Sequence, residues 1–475
     1  MTEKFKEIGV VEGFYGRVWT RSERETFIES MTRFGLNTYL YAPKHETALG
    51  SRLLEPLEDE EKKRLKALTV FCAKRKIACW VGLHMEAPFD PAQPPHLEQA
   101  AGKVAQLAQL GVRGFAVLFD DVPSARSVFV KDGKGGGDGK NIDPFGGSLA
   151  AAQAHTFNTL REAKRNGRRR LEWMLCPSRY TLDPELERAY GRFEPDYLKR
   201  LHAEIPKEVP WLWTGPRVCS PTITPADRYA YLREAGAGDD DRPLVLWDNY
   251  PVNDAAMTTW LHLDPLGGRA PNLHGGVRGY LFNPLLQPVL GAVPGATCLM
   301  YANDPAGYRP SDGWNRALAA LIPEPLRKSF SEFAALTRPP DPTGGLAPTW
   351  PRGSFPLAGR LQRAWQAISE EESTRSGRQL ASGFQRGGQA MSGGVPVEPY
   401  VVIDFQRVVE TMEKIMPPKM LEEARPWLGR LRQVLTLFEA NQAGAPMETL
   451  GPLRAQYVAR DAPGPPAEVL GPWFP

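Results

Sequence analysis

The 475-residue sequence lacks several features that mark well-defined classes of protein. Its five cysteines are an odd number without CxxC spacing, which predicts buried free thiols in a reducing compartment. No apolar run reaches the roughly eighteen residues that a membrane span needs, and no charged-then-apolar signal region opens the chain. We therefore expect a cytoplasmic protein without a membrane partner, although a signal peptide removed by processing would leave no trace here.

The sequence also has no large excess of positive or negative charge. The 58 Lys and Arg residues nearly balance the 55 Asp and Glu residues, for a net charge of +3, so no nucleic-acid partner is indicated. A hydrophobic content of 42% and a charged content of 24% are typical of a soluble, folded protein of enzyme size. The length predicts two or three domains, or one large barrel with an appendage.

Signatures of metal and phosphate binding are missing as well. The seven histidines are scattered without ligand spacing, and no acidic cluster of metal-binding spacing is present. The segment 129–147 combines glycines with lysines but lacks the GxxxxGK(S/T) motif, so we interpret it as a flexible loop after a strand. We expect neither a metal nor a cofactor.

What the sequence does contain is an alternation of short apolar runs with amphipathic helical segments. The eight runs are IGVVEGFYG, NTYLYAPK, ACWVGLHM, GFAVLFDD, LEWMLCP, PWLWTG, PLVLWDN and RGYLFNP. They are apolar on both faces, as expected for parallel strands covered by helices. An open doubly wound sheet would read similarly, but eight units favour an α/β fold of the (β/α)8 TIM-like barrel type over residues 1–305.

Beyond about residue 305 the strand-like runs stop. Helical stretches follow near 314–337, 356–383 and 398–443, separated by joints rich in Pro and Gly. We predict a C-terminal helical bundle domain over residues 306–475, which ends in a Pro-rich tail that need not be ordered.

Polar or small residues stand where the predicted strands end, which is where barrel enzymes build their active sites. These residues are Gly13 to Gly16, Lys44, Asp120 with Asp121, Trp247 with Asp248 and Asn249, and Asn283. We predict that the two adjacent aspartates face a shared mouth. Taken alone, two acids on a solvated turn are commonplace, and the dipeptide does not decide between the two interpretations.

Six motifs in this order resemble glycoside hydrolase family 84. They are VVEGFYGRVWT, YLYAPK, LFDDVP, WTGPRV, LWDNYPVND and FNP, and the resemblance covers roughly residues 5 to 300. The family consists of β-N-acetylglucosaminidases and includes the O-GlcNAcases, which remove N-acetylglucosamine from Ser and Thr of proteins. The resemblance implies a retaining exo-glycosidase that acts on terminal β-linked N-acetylglucosamine of a glycoprotein, peptide or glycan.

Substrate-assisted catalysis is the mechanism that the resemblance implies. Two neighbouring carboxylates are poorly placed for the usual retaining pair, which flanks the sugar about 5 Å apart. In the family the substrate's acetamido oxygen attacks instead, so that Asp120 accepts the acetamide N–H and Asp121 acts as general acid and base. We expect partial burial and a charged neighbour to raise the pKa of Asp121 for this work.

Seven further residues match substrate-binding positions of the family: Gly13, Lys44, Tyr180, Trp247, Asn249, Asp254 and Asn283. Each has an ordinary alternative, since Lys commonly extends to solvent, Asn commonly forms caps and turns, and Trp commonly packs in a core. Ser178 and Arg179 stand where the family has Thr and Glu.

Two other functions remain open from the sequence. One is a non-catalytic barrel that binds N-acetylglucosamine, because a fold does not secure an activity. The other is a hexosaminidase that acts on cell-wall or hyaluronan fragments, which present the same terminal sugar. The sequence does not indicate an oligomeric state.

Overall fold

The computed structural model describes residues 4–121, 144–162, 171–238, 241–258, 260–337 and 399–442. The predicted helical stretch 356–383, the Pro-rich tail and most of the predicted loop 129–147 lie outside these residues. The chain divides into two compact units, of which the first holds most of residues 1–309 and the second holds residues 310–475 with two short segments, 255–265 and 289–294. The predicted boundary between residues 305 and 306 stays a prediction.

The first unit is built on a closed barrel of eight parallel strands. These are β1 Glu7–Glu12, β2 Thr38–Tyr41, β3 Ala78–His84, β4 Gly114–Leu118, β5 Glu172–Cys176, β6 Trp211–Trp213, β7 Leu244–Asp248 and β8 Val277–Phe282. Each strand pairs with the next in sequence, and β8 pairs with β1 to close the barrel. The predicted (β/α)8 fold is therefore confirmed, with each strand inside or overlapping its predicted apolar run.

Helices follow the strands around this barrel. They are α1 Arg21–Thr32, α2 Asp59–Lys74, α3 Pro94–Gln109, α4 Leu149–Glu162, α5 Pro184–Tyr190, α6 Tyr197–Glu204, α7 Pro225–Glu234 and α8 Pro288–Asn303. Local sequence explains where several begin: a capping box of Thr20 with Glu23 opens α1, and a second one of Thr224 with Asp227 opens α7. All residues of β1, β2, β4 and β7 are buried, because one face points into the barrel and the other is covered by helices.

Close packing inside the barrel depends on small residues. Gly114 lies opposite Trp80 in the register of β4 and β3, and a Cβ at Gly114 would come within 2.1 Å of the Trp80 ring. Only glycine leaves room for that indole.

The second unit is helical in its described part. Its helices include α9 Pro310–Leu321, α10 Arg327–Thr337, α11 Pro399–Ile415 and α12 Pro418–Gln442, which agree with two of the three predicted stretches. Helices α11 and α12 pack against each other, as do α10 and α11. In the part of the chain that the structure describes, no helix is long and apolar enough to cross a membrane. The five cysteines form no disulfide.

Candidate active site

The two aspartates meet a lysine at the carboxyl ends of the strands. Asp120 and Asp121 follow β4, and Lys44 follows β2, so parallel strands bring the three side chains to the same end of the barrel. The Lys44 Nζ donates to Asp120 Oδ2 and lies 2.8 Å from Asp121 Oδ2. The side chains of Lys44 and Asp120 are 8% exposed and that of Asp121 is 17% exposed, which excludes a solvated turn.

Asp120 carries an unused acceptor. Lys44 binds its Oδ2 atom, whereas Oδ1 is buried and has no hydrogen-bond partner among the described residues. Burial raises the pKa of Asp120, although the Lys44 ammonium opposes the shift. A buried acceptor without a donor costs about 1 to 3 kcal/mol. The Oδ1 atom is therefore suited to receive a donor from a bound molecule.

Asp121 has donors on both of its oxygens. Its Oδ2 accepts from the Tyr15 hydroxyl at 2.7 Å in addition to Lys44, and its Oδ1 accepts from the hydroxyls of Tyr190 at 2.9 Å and Tyr180 at 3.3 Å. Its backbone has a φ of +60°, in the left-handed region that non-glycine residues seldom adopt. Three loop side chains, Tyr15, Lys44 and Tyr180, and one helical side chain, Tyr190, thus hold one carboxylate.

The expected rise in the pKa of Asp121 is wrong for this arrangement. Burial alone would raise it, but the Lys44 ammonium and the hydroxyl donors Tyr15 and Tyr190 outweigh burial, so that the pKa of Asp121 lies below its usual value. The upward shift falls on Asp120, which has fewer donors. Because the two acids are neighbours and share one lysine, they titrate as a coupled pair.

A second network joins four of the other predicted residues. A Cβ on Gly13 would come within 2.2 Å of the Trp247 ring, so glycine is required where this indole packs. Trp247 Nε1 donates to Asn249 Oδ1 at 3.0 Å, and Asn283 Nδ2 donates to the same oxygen at 3.1 Å. Asn283 Oδ1 accepts from the Gly13 backbone N–H at 3.4 Å. Residues at the carboxyl ends of β1, β7 and β8 therefore form one wall of the mouth.

Asp254 belongs to the same end of the barrel. Its Oδ2 accepts from the Tyr15 backbone N–H at 2.7 Å, and burial raises its pKa. Because the Tyr15 hydroxyl binds Asp121, this residue links Asp254 to the catalytic candidates. The structure thus brings together all nine predicted site residues, while their individual roles stay predictions.

Ser178 and Arg179 differ from the family motif, yet the Tyr180 hydroxyl still donates to Asp121. Ser178 Oγ donates to the Phe119 carbonyl at 2.7 Å, and Arg179 pairs with Glu234 at 2.6 Å. Neither of these two contacts involves the aspartate pair.

Sequence reasoning missed two residues that contact Asp121. Tyr15 lies in the strand-end motif GFYG and could have been found from that position. Tyr190 is the last residue of α5, and no motif or spacing marks it. Conversely, Asp248 ends a strand but is fully buried in an ion pair with Arg269 at 2.6 Å, which is a structural role.

Two further observations concern the histidine near this site and the clustering of potential metal ligands. His84 is buried near the lysine, and burial together with Lys44 lowers its pKa to about 3, so it is neutral at physiological pH. Within the described ranges, no group of three or more His, Cys, Asp or Glu residues could hold a metal ion. The arrangement offers one carboxylate that can accept a donor and a neighbouring carboxylate that can exchange a proton.

Comparison with known proteins bears on this chemistry. The family model described as beta-N-acetylglucosaminidase matches residues 8–335. The protein O-GlcNAcases of Rattus norvegicus and Mus musculus are each 27% identical over 282 residues, which are 58% of this chain and 28% of theirs. The match therefore spans less than a third of these curated relatives. A structure of a variant O-GlcNAc hydrolase from Thermobaculum terrenum shares the fold, with a TM-score of 0.73, 24% identity, and coverage of 99% of this chain and 94% of that chain.

Proposed function

This chain belongs to the β-N-acetylglucosaminidase family of glycoside hydrolases, and on that premise we propose that it is a retaining exo-β-N-acetylglucosaminidase. Its substrate is a terminal β-linked N-acetylglucosamine, including the sugar on Ser and Thr of proteins. The proposed mechanism uses the substrate's own acetamido group and passes through an oxazoline intermediate.

The observation that carries the proposal is the buried Oδ1 atom of Asp120, which has no donor among the described residues. The N–H of a 2-acetamido group supplies a donor of the required kind. Once this N–H is held, the acetamido oxygen is free to approach the anomeric carbon, and the carboxylate charge stabilises the positive charge that develops on nitrogen.

The chemical steps balance without an enzyme nucleophile. In the first step the acetamido oxygen bonds to the anomeric carbon, the glycosidic bond breaks, and Asp121 gives its proton to the leaving oxygen. In the second step water attacks the anomeric carbon, Asp121 takes a proton from this water, and the bond to the acetamido oxygen breaks. Two inversions at one carbon give net retention.

In the free enzyme burial raises the pKa of Asp120 and the donors around Asp121 lower its pKa, whereas the reaction needs Asp120 ionised and Asp121 protonated. Donation from the acetamide N–H stabilises the ionised form of Asp120. A leaving-group oxygen that replaces one hydroxyl donor of Asp121 favours its protonated form. Binding of the correct sugar therefore prepares the reactive state.

The remaining residues support the sugar in this proposal. Trp247, which packs against Gly13, forms the surface under the acetamide methyl group. Asn249 and Asn283 lie beside it, and Asp254 and Lys44 are the polar groups for sugar hydroxyls.

The test uses 4-nitrophenyl N-acetylglucosaminide and analogues with one, two and three fluorines on the acetyl group. We expect kcat to fall steeply with each fluorine, because fluorine withdraws electron density from the attacking oxygen, while KM changes little. The control substrate 4-nitrophenyl β-glucoside, which has no acetamide, should not turn over. Flat fluorine dependence would point to an enzyme nucleophile, and binding without any turnover would identify a non-catalytic barrel.

A second experiment compares three possible natural substrates, which differ in the group that the sugar is attached to. Release of N-acetylglucosamine from a glycosylated Ser peptide, from a chitin disaccharide and from a hyaluronan end should be measured at equal concentration. A larger kcat/KM for the peptide supports the protein substrate, and a larger value for either glycan contradicts it.

A further inference from the structure

Tyr190 contacts Asp121, the proposed general acid, although it does not lie at the end of a barrel strand. It is the last residue of the short helix α5, yet its hydroxyl donates to Asp121 Oδ1 at 2.9 Å. The Tyr180 hydroxyl donates to the same oxygen at the longer distance of 3.3 Å. Tyr190 is partly exposed at the rim of the apolar cluster that contains Tyr180, whereas Tyr180 is only 6% exposed.

Helix α5 is anchored so that it holds Tyr190 at this position. Asp183 caps the start of the helix by accepting from the Glu185 backbone N–H at 3.1 Å, and its other oxygen accepts from the Val218 backbone N–H at 3.0 Å. The Val218 carbonyl in turn accepts from Asn249 at 2.8 Å. The helix is therefore tied to the wall of the mouth by hydrogen bonds and ends immediately after Tyr190.

The two oxygens of Asp121 have different surroundings. Oδ2 faces the Lys44 ammonium and the Tyr15 hydroxyl, so a proton on Asp121 is more stable on Oδ1, away from the positive charge. A protonated Oδ1 is a donor and needs an acceptor, which the two phenol hydroxyls do not offer while they donate to it. Among the described residues, the ionisable groups that interact with Asp121 include Tyr15, Lys44, His84, Asp120, Cys176, Tyr180, Tyr190 and Asp254.

We propose that Tyr190 is a positioning residue, which holds Asp121 Oδ1 in the free enzyme and gives up this contact to the leaving-group oxygen when substrate binds. Tyr190 is the hydroxyl that yields because it is partly exposed at the rim, whereas Tyr180 is buried. The inference rests on the proposed role of Asp121 as general acid.

The experiment compares pH profiles of the wild-type protein and Tyr190→Phe with methyl β-N-acetylglucosaminide, whose alkoxide leaving group needs the proton of Asp121. Profiles of kcat/KM report ionisations of the free enzyme, and profiles of kcat report those of the enzyme–substrate complex. Loss of one donor to the ionised carboxylate should move the alkaline limb of kcat/KM upward by about half to one pH unit. On that limb the variant should then have a kcat/KM about three to ten times that of the wild type, with an unchanged kcat profile.

The controls separate a structural role from the proposed one. Tyr229→Phe removes a phenol hydroxyl from a 46% exposed side chain on α7 and should leave both profiles unchanged. Thermal denaturation checks that Tyr190→Phe is folded, and Tyr190→Leu provides a second variant with the same expected direction.

Each outcome decides a separate point. Superimposable kcat/KM profiles would refute the contact in the free enzyme. Equal shifts in kcat/KM and kcat would show that Tyr190 stays bonded in the complex and would overturn the exchange. If the wild-type protein itself has no activity, the proposed function fails instead.

Discussion

Replacing Asp120 by Asn keeps the size and planar shape of this side chain and removes its negative charge. If the carboxylate stabilises the positive charge that grows on the acetamide nitrogen, the variant should bind the sugar and turn it over slowly. A role limited to binding would affect substrate affinity and turnover differently, so the two roles can be distinguished by kinetics.

The size of the effect follows from Coulomb's law. Two unit charges about 3 Å apart interact by about 5.5 kcal/mol at an effective dielectric constant of about 20. With about half a unit of charge developed on nitrogen in the transition state, the gain is about 2.8 kcal/mol, which corresponds to about a hundredfold in kcat. We therefore expect Asp120→Asn to lower kcat about a hundredfold and to change KM by less than about threefold.

Unlike kcat, the stability of Asp120→Asn should not fall below that of the wild type. The folded-state pKa of Asp120 is raised, so the folded protein binds more protons than the unfolded chain between the two pKa values. The stability that this group contributes is present at low pH and is lost as the pH rises through the folded pKa. At pH 7 the Asn variant should be as stable as the wild type or slightly more stable, and Lys44 keeps its contact with Asp121.

The assay combines steady-state kinetics with thermal melting, and Asp248→Asn is the matched control. Asp248 is also buried, but its partner Arg269 would be left uncompensated, at a cost of about 3 to 5 kcal/mol. We expect a clear loss of Tm for Asp248→Asn and none for Asp120→Asn. The reasoning is refuted if Asp120→Asn raises KM as much as it lowers kcat, or if its kcat stays near the wild-type value.

Three further predictions concern other residues. Asp121→Asn should reduce kcat/KM far more for an alkyl or peptide aglycone than for a 4-nitrophenol leaving group, because only the former needs a proton; equal losses in a leaving-group series would remove Asp121 from the acid role. Gly13→Ala should displace Trp247, since the new Cβ would come within 2.2 Å of the ring, and should cost about 1 to 3 kcal/mol of stability. Urea unfolding with KM measurement checks this, and an unchanged midpoint would contradict it. Burial lowers the pKa of His84 to about 3, so its contribution to stability is complete above pH 6.5 and is lost as the pH falls toward 3, by about 1.4 kcal/mol per unit. His84→Gln should flatten the dependence of unfolding free energy on pH between 6 and 4, and parallel curves for both proteins would contradict the assignment.

The eight strands could be predicted from the sequence because their signal is local. A parallel strand inside a barrel is buried on both faces, so its sequence is a short apolar run with a turn at its end. The same locality made Asp120, Asp121 and Lys44 visible, since each stands directly after such a run. Closure then brings all strand ends to one mouth, whatever the loops between them contain.

The electrostatics of the mouth depend on contacts between segments that are remote in sequence. Tyr190 meets Asp121 across 69 residues of chain, and only the course of α5 decides this contact. Burial raises the pKa of Asp120 against the opposing Lys44 ammonium, whereas Lys44 and the hydroxyls of Tyr15 and Tyr190 lower that of Asp121. Two adjacent aspartates look equivalent in the sequence, because burial and Coulomb interactions are set by distances that only the tertiary structure defines.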